Sequence, residues 1–268
     1  MKVALFPNLE RRGTAELYSK AINILTLQGI ECFSADDGLS ANELYKMCDV
    51  IITIGGDGTL IKHAKAASKY NKACLGINTG NLGFLANVDK DTINLLEKLK
   101  SENYLIEQRL MIEVTAKKDD KILYSGTALN DAVVSSGSVG KIADIKLTVS
   151  GDEIEYRSDG VIVSTPTGST AYSMSAGGPI IDPIVRCLTV TPVCSHSLTA
   201  RPMILTDSSN IDICISKSSR TDAILSVDGK QCAKVDADTV VSIKKSPLEA
   251  RFINLTGSTI YKTISKKF

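Results

Sequence analysis

The run Val50-Ile51-Ile52-Thr53-Ile54, leading straight into Gly55-Gly56-Asp57-Gly58-Thr59, constrains this chain more than any other segment. A near-continuous apolar run of β-formers describes a strand buried on both faces, as in a parallel sheet covered by helices. The glycines then impose a tight turn, and the residues from about Thr59 to Tyr70 read as a helix. The flanking sequence alternates in the same way. Lys2–Phe6 reads as a strand. Thr14–Gln28 is a helix with Leu17, Ala21 and Leu25 on one stripe, stopped by Gly29. Ile30–Ser34 is a second strand. Ser40-Ala41-Asn42-Glu43 is a capping box opening a helix to Met47. Ala73–Ile77 and Asp91–Lys100 read as a further strand and helix. Alternation of this kind predicts a parallel α/β layer.

From about Leu110 the period changes. Met111–Ala116, Thr127–Ser135, Ile145–Val149, Glu153–Tyr156, Val161–Ser164, Met203–Leu205, Ile211–Ile215, Ala223–Val227, Val240–Ile243 and Arg251–Leu255 read as strands. Only the surroundings of Ala171–Ala176 suggest helix. The expected fold is α/β plus mainly β: a parallel α/β domain over residues 1–105 and a β-rich domain over 106–249. No repeat or low-complexity stretch interrupts either.

Composition narrows the function classes. The 268 residues carry 31 Lys and Arg against 30 Asp and Glu, a net charge of +1. This balance argues against a nucleic-acid partner, whose phosphates call for a strongly basic surface. No apolar run approaches the ~18 residues of a membrane span. Val3-Ala4-Leu5-Phe6 is too short for a signal-peptide core. The seven cysteines, Cys32, Cys48, Cys74, Cys187, Cys194, Cys214 and Cys232, include no C-x-x-C pair. They read mostly as small core hydrophobes in a reducing cytoplasm. Cys187, Cys194 and His196 lack the paired spacing of a metal site, so no metal ligands are assigned.

The glycine loop carries the chemistry. Gly55, Gly56 and Gly58 let a ligand approach the backbone, and the N–H groups at the helix start, with Thr59, form a phosphate cradle. Asp57 is the anomaly, because a carboxylate repels phosphate. It makes sense as the acceptor of a proton from an attacking hydroxyl, or as a holder of a phosphate-bridging metal. The plain alternative is an Asp that caps a helix. Asn78-Thr79-Gly80-Asn81-Leu82-Gly83-Phe84-Leu85 follows the next strand's carboxyl end, where open α/β sheets bind ligands. Thr165–Ser175 carries six Ser and Thr hydroxyls plus Tyr172, suited to ring nitrogens, ribose oxygens and base stacking. Its plain reading is a polar turn capping a short helix. Asn130-Asp131 at a strand end is as often a plain turn. Lys62 and Lys141 read as surface charges or as phosphate partners, His63 as a surface residue and His196 as structural.

These segments, with Ser158-Asp159-Gly160 and the stretch Ser164-Thr165-Pro166-Thr167-Gly168-Ser169-Thr170-Ala171-Tyr172-Ser173-Met174-Ser175-Ala176-Gly177-Gly178-Pro179, resemble the diacylglycerol-kinase, 6-phosphofructokinase and NAD-kinase superfamily, and within it the NAD kinases. Ser197-Leu198-Thr199-Ala200-Arg201-Pro202 is similar as well. The likeness runs from about residue 50 to 230. It implies a phosphofructokinase- or diacylglycerol-kinase-like first domain, with a C-terminal tail of about 250–268 packing back on it. It implies ATP as phosphate donor and NAD as acceptor, with Mg²⁺ or Mn²⁺ accompanying ATP. Asp57 would take the proton of the adenosine ribose 2′-hydroxyl. Gly55, Gly56, Gly58, Thr59 and Lys62 would hold phosphate. Gly58, Asn78, Asn81, Phe84, Asn130, Asp131, Thr167, Thr170, Ala171, Tyr172, Ser173, Met174 and Ser175 would line the dinucleotide site. Arg157 and Asp159 would join it from a neighbouring subunit of a dimer or homotetramer. Lys141 and Gln231 are weaker matches. The chain departs from the pattern at Asp131, where Glu is frequent, at Ser195 before His196, and at Asp228-Gly229-Lys230-Gln231, where a lysine is interposed. A lipid or sugar kinase of the same superfamily and a non-catalytic dinucleotide sensor are the rival expectations.

Overall fold

The computed structural model describes residues 1–80, 83–138, 140–217, 219 and 221–267. Asn81, expected at the dinucleotide site, lies outside the described residues. The chain divides into two compact units, Met1–Arg109 with Glu249–Phe268, and Leu110–Leu248. No described helix is long and apolar enough to cross a membrane.

The first unit opens with β1 (Lys2–Pro7), α1 (Thr14–Leu27), β2 (Glu31–Phe33), α2 (Ala41–Met47), β3 (Val50–Gly55), α3 (Asp57–Ser68) and β4 (Ala73–Asn78). The strands are parallel in the order β2-β1-β3-β4. Every residue of β3 and β4 is buried, as the unbroken apolar runs require. α1 buries Leu17, Ala21 and Leu25, and Gly29, at φ 72°, ends it in the left-handed region. Both arms of the capping box on α2 form: Glu43 N donates to Ser40 Oγ at 3.3 Å and Ser40 N to Glu43 Oε2 at 2.8 Å. The helix expected over Asp91–Lys100 is instead a 3₁₀ segment, Ile93–Leu99. Its buried residues Ile93, Leu96 and Leu99 recur every third position, which suits three residues per turn better than 3.6. They pack with Leu5, Leu17, Leu25, Ile52, Leu75 and Ile77 in one core.

His63, expected at the surface, is buried on the inward face of α3. Its Nδ1 pairs with the Tyr45 hydroxyl at 2.7 Å, and its ring lies 4.2 Å from that of Phe6, centroid to centroid. Burial, helped by the Lys62 charge, pushes its pKa down to about 4. Burial pushes that of Tyr45 up to about 12. The pair is therefore neutral and links α2 to α3 by a buried hydrogen bond.

The second unit contains β5 from Leu110 onward (Leu105–Lys118), β6 (Lys121–Ala128), β7 (Asp131–Ser136), β8 (Ala143–Val149), β9 (Asp152–Ser158), β10 (Gly160–Ser164), the single turn α4 (Tyr172–Ser175), β11 (Cys187–Val193), β12 (Met203–Thr206), β13 (Ile211–Ile215), β14 (Ala223–Val227), β15 (Lys230–Val235) and the first part of β16 (Thr239–Asn254). One antiparallel sheet runs β12-β11-β10-β7-β14-β15. β16, β13, β8 and β9 pair antiparallel in another. Val134, Val161, Val163, Leu188, Leu225, Ile145, Leu147, Ile213 and Val241 share the core.

The expected strand Thr127–Ser135 is split at Leu129-Asn130. The expected runs Val240–Ile243 and Arg251–Leu255 belong to one strand, hidden in the sequence by Lys244, Lys245 and Pro247. β11 escaped the pattern because Thr189 and Thr191 occupy buried positions, and β15 because it is a polar edge strand. The end of β16 returns to the first unit, where Arg251 and Phe252 pair parallel with β4. The last helix, α5 (Ile260–Lys267), also belongs to that unit.

Candidate functional site

In the first unit the chain leaves β1 toward β2 on one side and leaves β3 toward β4 on the other. The carboxyl ends of β1 and β3 therefore form a topological switch point, where open α/β sheets bind ligands. Two loops meet there. Asn8 N donates to Ile54 O at 2.9 Å, and Asn8 Nδ2 to Thr59 Oγ1 at 3.4 Å. The Arg11 guanidinium lies over Gly56 so closely that a Cβ there would stand 2.1 Å from Nη1. Asn8 and Arg11 are site residues the sequence reading missed. Their only signal was Pro7-Asn8 at a strand's carboxyl end, which becomes informative once the strand order is known.

α3 starts at Asp57, two positions before the expected Thr59, so Asp57 sits in its first turn. The carboxylate is fixed by the loop after β4: Phe84 N donates to Oδ2 at 2.8 Å and Ala86 N to Oδ1 at 3.2 Å. A Cβ on Gly83 would stand 2.1 Å from Oδ1, so glycine is required for this approach. Thr79 N donates to Gly55 O at 3.1 Å, tying the two loops together. Asn78 is buried at the end of β4, where its Oδ1 accepts from Gly80 N at 3.0 Å. The ammonium of Lys267 stands 4.2 Å over the Phe84 ring. Gly55, Gly56, Gly58, Thr59, Asn78 and Phe84 thus gather around Asp57. Lys62 is exposed on α3.

In the second unit, Asn130 lies in the break between β6 and β7 and Asp131 opens β7, against the loop after β10. Thr165 N donates to Asn130 O at 2.9 Å and Thr165 Oγ1 to Leu129 O at 2.5 Å. A Cβ on Gly168 would stand 2.1 Å from Asn130 O. The loop's hydroxyls divide by role. Ser169 donates to Pro166 O and Thr170 to Thr167 O within the loop, and Ser173 pairs with Thr191 of β11, so these three hold the loop in place. The buried Thr167 hydroxyl makes no hydrogen bond among the described residues. Ala171 is half-buried at the entry to α4, Met174 half-buried, Ser175 exposed, and the Tyr172 ring 45 % exposed.

Arg157 and Asp159 stand elsewhere. β10 pairs Ser164 with Asp131 at one end and Gly160 with Ser135 at the other, so Asp159 lies a strand length away from Thr165. At ~3.3 Å per residue, the six steps between them span roughly 20 Å. Arg157 faces Asp144 at 3.9 Å, and Asp159 is exposed, with its backbone N donating to Val193 O and its O accepting from Ser136 N. Lys141 is exposed beyond Ser138, at the same end. Gln231 is exposed on β15 opposite Ser226, at the Asn130 end. His196 leaves its ring exposed and donates its backbone N–H to Arg157 O at 2.8 Å.

Among the described residues no group of three or more His, Cys, Asp or Glu side chains could hold a metal ion. Both oxygens of Asp57 already accept backbone N–H groups. This donor set does not fit a divalent ion caged by the protein.

The family models of the ATP-NAD kinase N-terminal domain and C-terminal domain match residues 38–104 and 129–255. The NAD kinase of Caldanaerobacter subterraneus subsp. tengcongensis is 34 % identical over 278 residues, covering 99 % of this chain and 98 % of its own. The crystal structure of yeast NADH kinase complexed with NADH superposes with a TM-score of 0.86 at 25 % identity, over 99 % of this chain and 85 % of that one. An NAD kinase from Archaeoglobus fulgidus in complex with ATP gives 0.80 at 26 %, over 100 % and 98 %. These likenesses do not favour a lipid or sugar kinase. With an α/β unit built around the glycine loop and a β-rich unit carrying the hydroxyl-rich loop, this chain belongs to the NAD kinase family.

Proposed function

We propose that the protein transfers the γ-phosphate of ATP to the 2′-hydroxyl of the adenosine ribose of NAD, giving NADP and ADP. The observation that carries this reading is the Asp57 carboxylate, fixed by Phe84 N and Ala86 N in the first turn of α3 beside the glycine loop. An oxygen of Asp57 accepts the 2′-hydroxyl proton as that oxygen attacks the γ-phosphorus. The bond from phosphorus to the β,γ-bridging oxygen breaks, and ADP leaves. The N–H groups of Gly56 and Gly58 and the Thr59 hydroxyl, with Arg11, hold the donor phosphates; the positive helix start supports this. Lys62 lends charge from the next turn. Mg²⁺ or Mn²⁺ enters bound to ATP and neutralises its phosphates.

Asn78, Asn81, Phe84, Asn130 and Asp131 contact NAD, and Thr167 and Thr170–Ser175 surround the adenosine, with Tyr172 as the stacking face. Arg157 and Asp159 complete the site of a second subunit in a dimer or tetramer; their distance from the Thr165 loop within one chain supports this. Lys141 stands at the same end and would serve that neighbour, and Gln231 flanks Asn130. A cytoplasmic location accords with the free state of all seven cysteines. The test is an assay of the purified protein with ATP, Mg²⁺ and NAD, reading NADP with an NADP-specific dehydrogenase. NADP formation is expected. Turnover of ATP with a lipid or sugar in place of NAD, and none with NAD, overturns the reading.

A further inference from the structure

β14 and β15 are joined by the two-residue turn Asp228-Gly229, both residues with positive φ, 46° and 75°. Such a turn follows the twist of the hairpin, and it bends the Asp228 side chain back toward β7. There the carboxylate meets three successive N–H groups. Oδ1 accepts from Asn130 N at 2.8 Å, Leu129 N at 3.2 Å and Asp131 N at 3.3 Å, and Oδ2 from Leu129 N at 3.2 Å. Asp228 N in turn donates to Asp131 O at 3.0 Å. Thr165 takes the other side of the same segment, donating to the carbonyls of Leu129 and Asn130.

Every backbone donor and acceptor of Leu129-Asn130-Asp131 is therefore held, three by one carboxylate in the manner of an anion in a backbone nest. A turn alone has no need of this. An Asn-Gly or Gly-Gly pair supplies the same backbone without a charge. Resting on the reading that Asn130 and Asp131 contact NAD, we infer that Asp228 is a positioning residue for NAD binding: it locks the backbone of 129–131 so that those two side chains meet the dinucleotide in one orientation. The role belongs to Asp228, and the Lys230 interposed before Gln231 leaves it untouched.

The experiment compares Asp228→Gly and Asp228→Asn. Glycine keeps the turn and removes the acceptor. Asparagine also keeps it, because it tolerates positive φ, and retains an oxygen at the Oδ1 position. Asp228→Gly is expected to raise KM for NAD about tenfold or more, the scale on which misplaced ligand contacts act, with KM for ATP little changed. Asp228→Asn should restore NAD binding to near the wild-type value. Asn130→Ala runs alongside. If it leaves KM for NAD unchanged, the reading of Asn130 fails. If Asn130→Ala raises KM for NAD while Asp228→Gly does not, or if Asp228→Gly moves both KM values equally, the positioning role is overturned. Should Asp228→Gly not fold, Asp228→Ser, whose shorter side chain carries one oxygen in place of the carboxylate, reads the same split with the same two outcomes.

Discussion

The buried pair Tyr45–His63 sets a pH dependence that can be worked in advance. The chain has two histidines, and the other, His196, is exposed. Burial lowers the pKa of folded His63 from 6.5 to about 4, so the unfolded chain takes up the proton first as pH falls. Its contribution to stability is full above about pH 6.5, is lost on the way to about pH 4, and is level below that. The whole span amounts to about 3 kcal/mol. Between pH 7 and pH 5 the loss is about 2 kcal/mol, before most carboxylates titrate.

The perturbation is His63→Asn, which keeps a polar partner for Tyr45 and removes the titration. It lowers stability at every pH, because the ring contact with Phe6 is lost. The diagnostic quantity is the slope. Urea unfolding should be followed by circular dichroism at 222 nm. The long helices α1 and α3 belong to the first unit, so this signal reports mainly on the unit that contains His63. With a slope of about 2 kcal/mol per M urea, the wild-type midpoint should fall by about 1 M between pH 7 and pH 5. The variant should fall much less. An equal decline in both would refute the assignment of this proton to His63.

Other expectations follow from the site. Asp57→Asn keeps the shape and removes the proton acceptor, so kcat should fall by ~10²–10⁴ with NAD binding retained in a calorimetric titration; near-normal turnover would show that Asp57 is not the base. Gly83→Ala places a methyl against the Asp57 carboxylate and should cut kcat sharply while the circular dichroism spectrum stays native; full activity would mean that the loop does not hold Asp57 during turnover. Tyr172→Ala removes a stacking face worth ~1–3 kcal/mol, so KM for NAD should rise several-fold and KM for ATP less; equal changes would mark the loop as structural. Activity per protomer should fall on dilution to the concentration where sedimentation detects monomer; a fully active monomer would exclude a site shared through Asp159.

Fold class and family were legible in the residue order alone. Strand and helix differ in period, so the buried run Val50–Ile54, the stripe of α1 and the capping box on α2 declare themselves locally. The glycine loop is as legible, since its constraint lies in residue type and order. Tertiary structure decided what depends on neighbours distant in sequence. The 3₁₀ form of Ile93–Leu99 follows from the core it faces, and the buried place of His63 from a hydroxyl on α2. β11 can bury its threonines because Thr189 finds Ser164 O on β10 and Thr191 finds Ser173 on α4. Asn8 and Arg11 join the glycine loop only because β1 lies beside β3, a fact of strand order that no local pattern encodes. In the sequence Asp228 stands out only as part of Asp228-Gly229-Lys230-Gln231, where the chain departs from the family pattern. It becomes a clamp only where folding brings it to three N–H groups almost a hundred residues away, since a carboxylate's role is set by the donors it meets.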